Sequence, residues 1–119
     1  MKRILPILII CLLLGSCKKN EFETLRTDGG EIPQCIQDKI AEFLKLPKDG
    51  RPYSITEYLY GGNLVYYVIS PCCDQYNPVY NSSCEYLGSP NGGFSGGGDG
   101  KLADFFSLAT NKKILWENK

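Results

Sequence analysis

Histidine is absent from all 119 residues of this chain. That gap removes the side chain that titrates nearest neutral pH, the commonest general base and zinc ligand, and with it every Ser-His or Cys-His dyad. An excess of one charge is lacking too, since 13 basic residues stand against 13 acidic ones. Phosphate binding rests on clustered lysine and arginine, so nucleic acid is not an expected partner. No apolar run reaches the ~20 residues that a membrane-crossing helix needs. The longest, residues 4–14, contains Pro6 and runs almost directly into Lys18-Lys19.

What is present around that run is ordered. Lys2-Arg3 precede it, Gly15-Ser16 close it and Cys17 follows. A cationic start, an apolar segment, small residues and then cysteine is the order of a bacterial lipoprotein leader. Residues 1–16 are therefore read as a signal peptide, and the mature chain is expected to begin at a lipidated Cys17. An ordinary secretory cut near Ser16 is the alternative. Each buried acyl methylene contributes about 0.8 kcal/mol, so two or three chains on one cysteine hold a protein on a bilayer. The membrane, reached through this anchor, is the first expected partner. Lys18 stands where an aspartate would mark inner-membrane retention, which points to the outer membrane of the cell envelope. Removing the leader takes Lys2 and Arg3 with it and leaves 11 basic against 13 acidic residues, a formal charge of −2.

Residues 17–31 read as a tether. Seven of the fourteen residues 18–31 are charged, only Phe22 and Leu25 are apolar, and Asp28-Gly29-Gly30 supplies turn chemistry. Such a segment builds no core, and as a flexible coil it spans an r.m.s. distance of about 20 Å. Residues 32–119 are then a single small domain that gains from covalent staples. Four cysteines remain in it: Cys35, Cys72, Cys73 and Cys84. In an exported chain an even number reads as two disulfides. A Cys72 to Cys73 bridge would strain the peptide between them, which leaves Cys35 with Cys72 and Cys73 with Cys84, or Cys35 with Cys73 and Cys72 with Cys84. Closing the longer and shorter loops corresponds to about 4 and 3 kcal/mol. A thiol-active or soft-metal role for Cys72 and Cys73 is the functional alternative, but the Cys-x-x-Cys spacing of zinc and thioredoxin-like sites is missing.

The expected fold is α+β: one N-terminal helix packed on a small antiparallel sheet, disulfide-stapled, with a glycine-rich loop. Residues 33–46 read as the helix, because Ile36, Ile40, Phe43 and Leu44 recur at helical spacing and leave Gln37, Asp38, Glu42 and Lys45 for solvent. Pro33 suits its first turn and Pro47 stops it. Residues 53–60 and 64–70 read as a hairpin turned by Gly61-Gly62. The run Leu64-Val65-Tyr66-Tyr67-Val68-Ile69 has no polar alternation and suits a central strand covered on both faces. Pro78 marks residues 76–80 as an edge segment, and residues 82–87 are loop or strand. Residues 102–108 suggest a short helix through Phe105 and Phe106, and residues 114–116 a last strand.

Residues 91–100, Asn91-Gly92-Gly93-Phe94-Ser95-Gly96-Gly97-Gly98-Asp99-Gly100, form the glycine-rich loop. It lacks the phosphate-loop pattern, since Ser95 replaces its first glycine and Leu102 follows Lys101. Asp99, Asp104, Asn91 and backbone carbonyls are oxygen donors of the kind calcium takes, without the regular spacing of known calcium loops. The candidate ligand-binding residues are Asp99, Gly98, Gly100 and Asn91 of this loop, and Tyr66 among eight tyrosines that all lie between positions 53 and 86. Aromatic sheet faces bind sugars or proteins when exposed, and otherwise fill small half-buried sheets. No catalytic constellation, cofactor site or metal site is expected.

The segments Cys35-Ile36-Gln37-Asp38-Lys39-Ile40, Val65-Tyr66-Tyr67, Pro71-Cys72-Cys73-Asp74-Gln75-Tyr76-Asn77, Tyr80, Cys84, Pro90-Asn91-Gly92-Gly93-Phe94-Ser95-Gly96 and Gly98-Asp99-Gly100 together resemble an uncharacterised lipoprotein domain family recurrent in Bacteroidota. The resemblance covers nearly all of residues 32–119. It implies a location and a build, and it carries over no catalytic residue. Members of that family commonly hold two further cysteines where this chain has Gly88 and Leu102, so the resemblance implies a loop less restrained here than in relatives. Displayed lipoproteins of this kind carry an acidic run after the lipidated cysteine. Lys18-Lys19 replaces it, which leaves the periplasmic face and the cell surface both open. The functional expectation is a lipid-anchored, non-enzymatic binding or structural module of the envelope, with an envelope protein or a glycan as partner. The alternatives are thiol chemistry at Cys72 and Cys73, or calcium or another ligand at the glycine-rich loop.

Overall fold

A computed structural model describes residues 31–72 and 74–119. The leader, Cys17, Cys73 and all of the tether except Glu31 lie outside the described residues. Helix α1 (Gln34–Leu44) forms where the apolar spacing places it. Pro33 precedes it with φ −53°, and its carbonyl accepts the Ile36 and Gln37 amides at 3.0 and 3.1 Å. The helix is the first described element but not the start of the chain, and the described residues are mostly sheet. One solvent assignment is corrected. Gln37 is buried, because its side-chain amide donates to the Ile32 carbonyl at 2.8 Å and so ties the entering chain to the helix. Leu44, expected in the core, is exposed as the last residue of the helix.

Five antiparallel strands follow: β1 (Ser54–Tyr60), β2 (Asn63–Ile69), β3 (Tyr76–Asn81), β4 (Tyr86–Gly92) and β5 (Thr110–Glu117), in the spatial order β4-β3-β2-β1-β5. Gly61 and Gly62 have φ of 62° and 83°, the positive values that a tight two-residue hairpin requires. β2 lies at the centre, as its unbroken apolar run predicts, with Val65, Tyr66, Tyr67 and Val68 all buried. Successive strand residues face opposite ways. Tyr66 and Val68 therefore join Ile36, Ile40, Ile55 and Leu115 under α1, while Val65 and Tyr67 join Val79, Leu102 and Phe105 on the other face.

Two strand expectations are revised. Pro78 does not make β3 an edge, since β3 pairs with both β2 and β4. The register shifts between Asn77 and Val79, and this bulge lets a residue without an N–H sit inside a sheet. β4 extends past the expected loop start to Gly92, because Asn77 and Tyr76 pair with Asn91 and Gly92. The chain then crosses the whole sheet from the β4 edge to the β5 edge. After the glycine loop it carries Leu102 and the short helix α2 (Phe105–Leu108) over the face opposite α1. Phe105 packs there against Tyr58, Tyr60 and Tyr67, with ring centroids 5.2, 5.0 and 6.0 Å away.

The disulfide joins Cys35 to Cys84, with Cα atoms 6.0 Å apart. Neither pairing expected for Cys35 holds. Its position in the first turn of α1 lies over the turn between β3 and β4, where Tyr80 and Cys84 pack against the core beneath the helix. Cys72 is disulfide-bonded as well. The Cys35–Cys84 bridge spans 49 positions, and cross-linking a loop of that length corresponds to about 4 kcal/mol. Peptide mapping without reductant should recover the Cys35 and Cys84 peptides linked, and Cys35→Ser with Cys84→Ser should lower the unfolding free energy by about that amount in a urea titration. Recovery of Cys35 linked to Cys72 or Cys73 would contradict this topology.

Candidate functional site

The glycine-rich loop folds back on β4 through backbone bonds. Gly98 and Asp99 donate to the carbonyls of Gly92 and Ser89, both at 3.0 Å, and Gly92 donates to Gly96 at 3.2 Å. A Cβ on Gly98 would overlap the Ser89 carbonyl, so glycine is required there by contact as well as by its φ of 79°. Gly92 and Gly93 are constrained alike, against the Gln75 carbonyl and the Tyr76 ring. The loop is therefore a close-packed flap along the outer edge of the sheet. Its tip leaves Phe94 93% exposed.

Asp99 is the electrostatic pin of this flap. One carboxylate oxygen accepts the amides of Ser89 and Lys101 at 3.1 and 3.0 Å, and the other accepts the Tyr86 hydroxyl in a short hydrogen bond. The Tyr86 bond first, then the two amides, hold its carboxyl down to about 2. The same phenol lies 2.9 Å from the fully buried Ser89 hydroxyl. Burial, then the bond to Asp99, push the Tyr86 phenol up. Asp99, Tyr86 and Ser89 thus satisfy one another, and Asp99 is turned toward its own fold.

The other expected ligand residues are held in separate places. Asn91 accepts from the Tyr67 hydroxyl at 2.9 Å and the Asn77 amide at 3.0 Å, and Asn77 in turn accepts the Ser70 amide at 2.8 Å. Asp104 accepts the Tyr60 hydroxyl at 2.8 Å. Gly98 and Gly100 both take the positive φ expected of loop glycines. Tyr66 is buried under α1, where its hydroxyl donates to Glu57 at 3.2 Å. Tyr66 and Tyr80 pack in one core and Tyr58, Tyr60 and Tyr67 in the other, while Tyr53, Tyr76 and Tyr86 are exposed. Among the described residues, no three His, Cys, Asp or Glu side chains converge as a metal site. Sequence reading missed Tyr86, Ser89 and Asn77, because each acts on a residue distant in the chain and carries no local motif.

A family model for a domain of unknown function matches residues 41–118. The chain belongs to the DUF6970 family. No curated protein and no solved structure matches it. The DUF6970 match takes in all five described strands and the glycine loop, while Cys35 and the rest of α1 up to Ile40 precede it. Within it, Gly88 and Leu102 lie against each other. A Cβ on Gly88 would stand 2.9 Å from Leu102 Cγ, and the Leu102 side chain is buried at that contact. The loop is fastened there by apolar packing.

The depressed carboxyl of Asp99 has a defined pH consequence. The ionised form stabilises the flap fully above the ordinary aspartate value of 3.8, and that contribution is lost as pH falls toward about 2. A carbon-detected NMR titration should place the Asp99 midpoint near 2. Tyr86→Phe should move it up toward the ordinary value, and an unchanged midpoint would remove Tyr86 from this role. Gly98→Ala should free the loop, seen as faster hydrogen exchange at the Asp99 and Gly92 amides with the β1 and β2 amides unchanged.

Proposed function

We propose that this chain is a lipid-anchored protein of the bacterial cell envelope, whose folded domain is a non-enzymatic binding or structural module. The observation that carries the anchor is the order Lys2-Arg3, an apolar run, Gly15-Ser16 and Cys17. A disulfide between Cys35 and Cys84 is consistent with passage through an oxidising compartment. No described helix is long and apolar enough to cross a membrane, so attachment in this reading rests on the lipid alone. Lys18 directly after the cysteine favours the outer membrane.

The module reading draws on how the polar side chains are used. Glu57 and Tyr66 face each other under the helix, Asp99 is engaged by Tyr86, Ser89 and Lys101, and Asn91 by Tyr67 and Asn77. These are the groups a catalytic mechanism would draw on, and each is engaged in hydrogen bonds that hold strand to strand or loop to sheet. Such a domain suits presenting a fixed surface to an envelope protein or a glycan.

Mass spectrometry of protein extracted from membranes should find an acylated glyceryl thioether on Cys17 as the first residue. Cys17→Ser should shift the protein from the membrane fraction to the soluble or unprocessed one. An unmodified amino terminus in membrane-derived protein would overturn the anchor.

A further inference from the structure

The two hairpins of the sheet end at different heights. β1 and β2 stay paired out to Tyr60 and Asn63, whereas the last β2–β3 pair is Val65 with Asn81, after which the chain turns back toward β4. The first hairpin therefore overhangs the second and leaves a cleft of about 460 Å³ at the step. That volume is within the ~300–1,000 Å³ of small-molecule sites.

Its walls are of two kinds. Tyr60, Leu64 and Leu87 are aromatic or apolar, and Asn63, Ser82 and Ser83 carry neutral amide or hydroxyl groups. Among the described residues, none that lines the cleft is charged. The aromatic wall is fixed, because the Tyr60 hydroxyl donates to Asp104 and its ring leans on Phe105 at 5.0 Å. The opposite rim is fixed as well. Asn81 accepts the Ser83 and Glu85 amides, each at 2.9 Å, and donates to the Glu85 carboxylate at 2.8 Å, which sets the turn that presents Ser82 and Ser83. Asn63 makes only a 3.5 Å contact to the Gly61 carbonyl within its own turn, so its amide stays available at the rim.

We propose that this cleft binds a neutral saccharide. An uncharged polyhydroxyl ring offers an apolar C–H face to an aromatic and leucine wall and hydroxyls to amide and serine groups. An anionic or cationic ligand would be desolvated against walls that, among the described residues, hold no opposite charge, which disfavours it. A wholly apolar ligand would leave the asparagine and serine groups unpaired. The proposal rests on the reading of the domain as a binding module, and it is independent of the lipid anchor.

The test is an NMR titration of the full isotope-labelled chain with uncharged tetrasaccharides: cellotetraose, maltotetraose, mannotetraose and chitotetraose. Tetragalacturonate and a capped tetra-alanine peptide serve as probes of other chemistry. At least one uncharged sugar should shift the amides of Asn63, Leu64, Ser82 and Ser83 saturably. Asn63→Ala with Ser83→Ala, both at exposed positions, should weaken that binding about tenfold while the amides of β1 and β2 outside the cleft keep their positions. The proposal is overturned if no uncharged sugar saturates these shifts up to about 10 mM, weaker than the millimolar end of the affinity scale. It is equally overturned if the shifts map elsewhere, or if the galacturonate or the peptide binds the cleft more tightly. Protein with and without the Cys17 lipid should bind alike, so failure here leaves the anchor standing, and failure of the anchor leaves this cleft standing.

Discussion

Four consecutive buried residues in β2, from Val65 to Val68, govern the rest of this fold. Neighbours along a strand point to opposite faces, so a run with no polar alternation places apolar surface on both sides of the sheet. Each face needs its own cover. α1 supplies one through Ile36 and Ile40, and the long return from β4 to β5 supplies the other through Leu102 and Phe105. At ~25 cal/mol per Å² of apolar area removed from water, neither cover is optional for a chain this small. The Cys35–Cys84 bridge acts within this scheme by fastening the start of α1 to the β3–β4 turn, at the side of the sheet farthest from β5.

The outer edges of the sheet are managed in different ways. Along β4 the glycine loop supplies partners for Ser89 and Gly92, and Asp99 locks it there with its carboxylate. β5 is broken by two register shifts and carries Lys112 and Lys113, features that discourage edge-to-edge pairing. A composition that invites comparison with phosphate or calcium loops is thus used to close an edge. The space suited to a ligand lies at the hairpin step, where two β-turns of unequal reach leave a cleft.

Much of the local structure was legible in the chain itself. Helical spacing located α1, paired glycines located the first hairpin, and an unalternating apolar run located the central strand. The places where such reasoning failed share a cause. Pro78 argued for an edge, but a bulge absorbed its missing donor between two partner strands. Gln37 looked solvent-facing by periodicity, yet the Ile32 carbonyl gave it a buried partner. Setting aside a Cys35–Cys84 bridge followed from local strain at the adjacent cysteines, whereas the observed link followed from where the helix lies on the sheet. The candidate site fared the same way. Asp99 was singled out as a loop carboxylate, but Tyr86 and Ser89, which decide its orientation, came from another strand.

The order of residues alone determined which segments are helix, hairpin and central strand, because backbone propensity and the alternation of buried side chains act over a few neighbours. It likewise set out the cationic, apolar and cysteine order on which the anchor proposal stands. Only the tertiary structure decided the strand order, the cysteine partner of the helix, the inward turn of Asp99 and Tyr66, and the cleft at the end of the sheet. Those depend on contacts between segments tens of residues apart, where packing on two faces and the pairing of buried polar groups select the arrangement and local sequence carries no record of it.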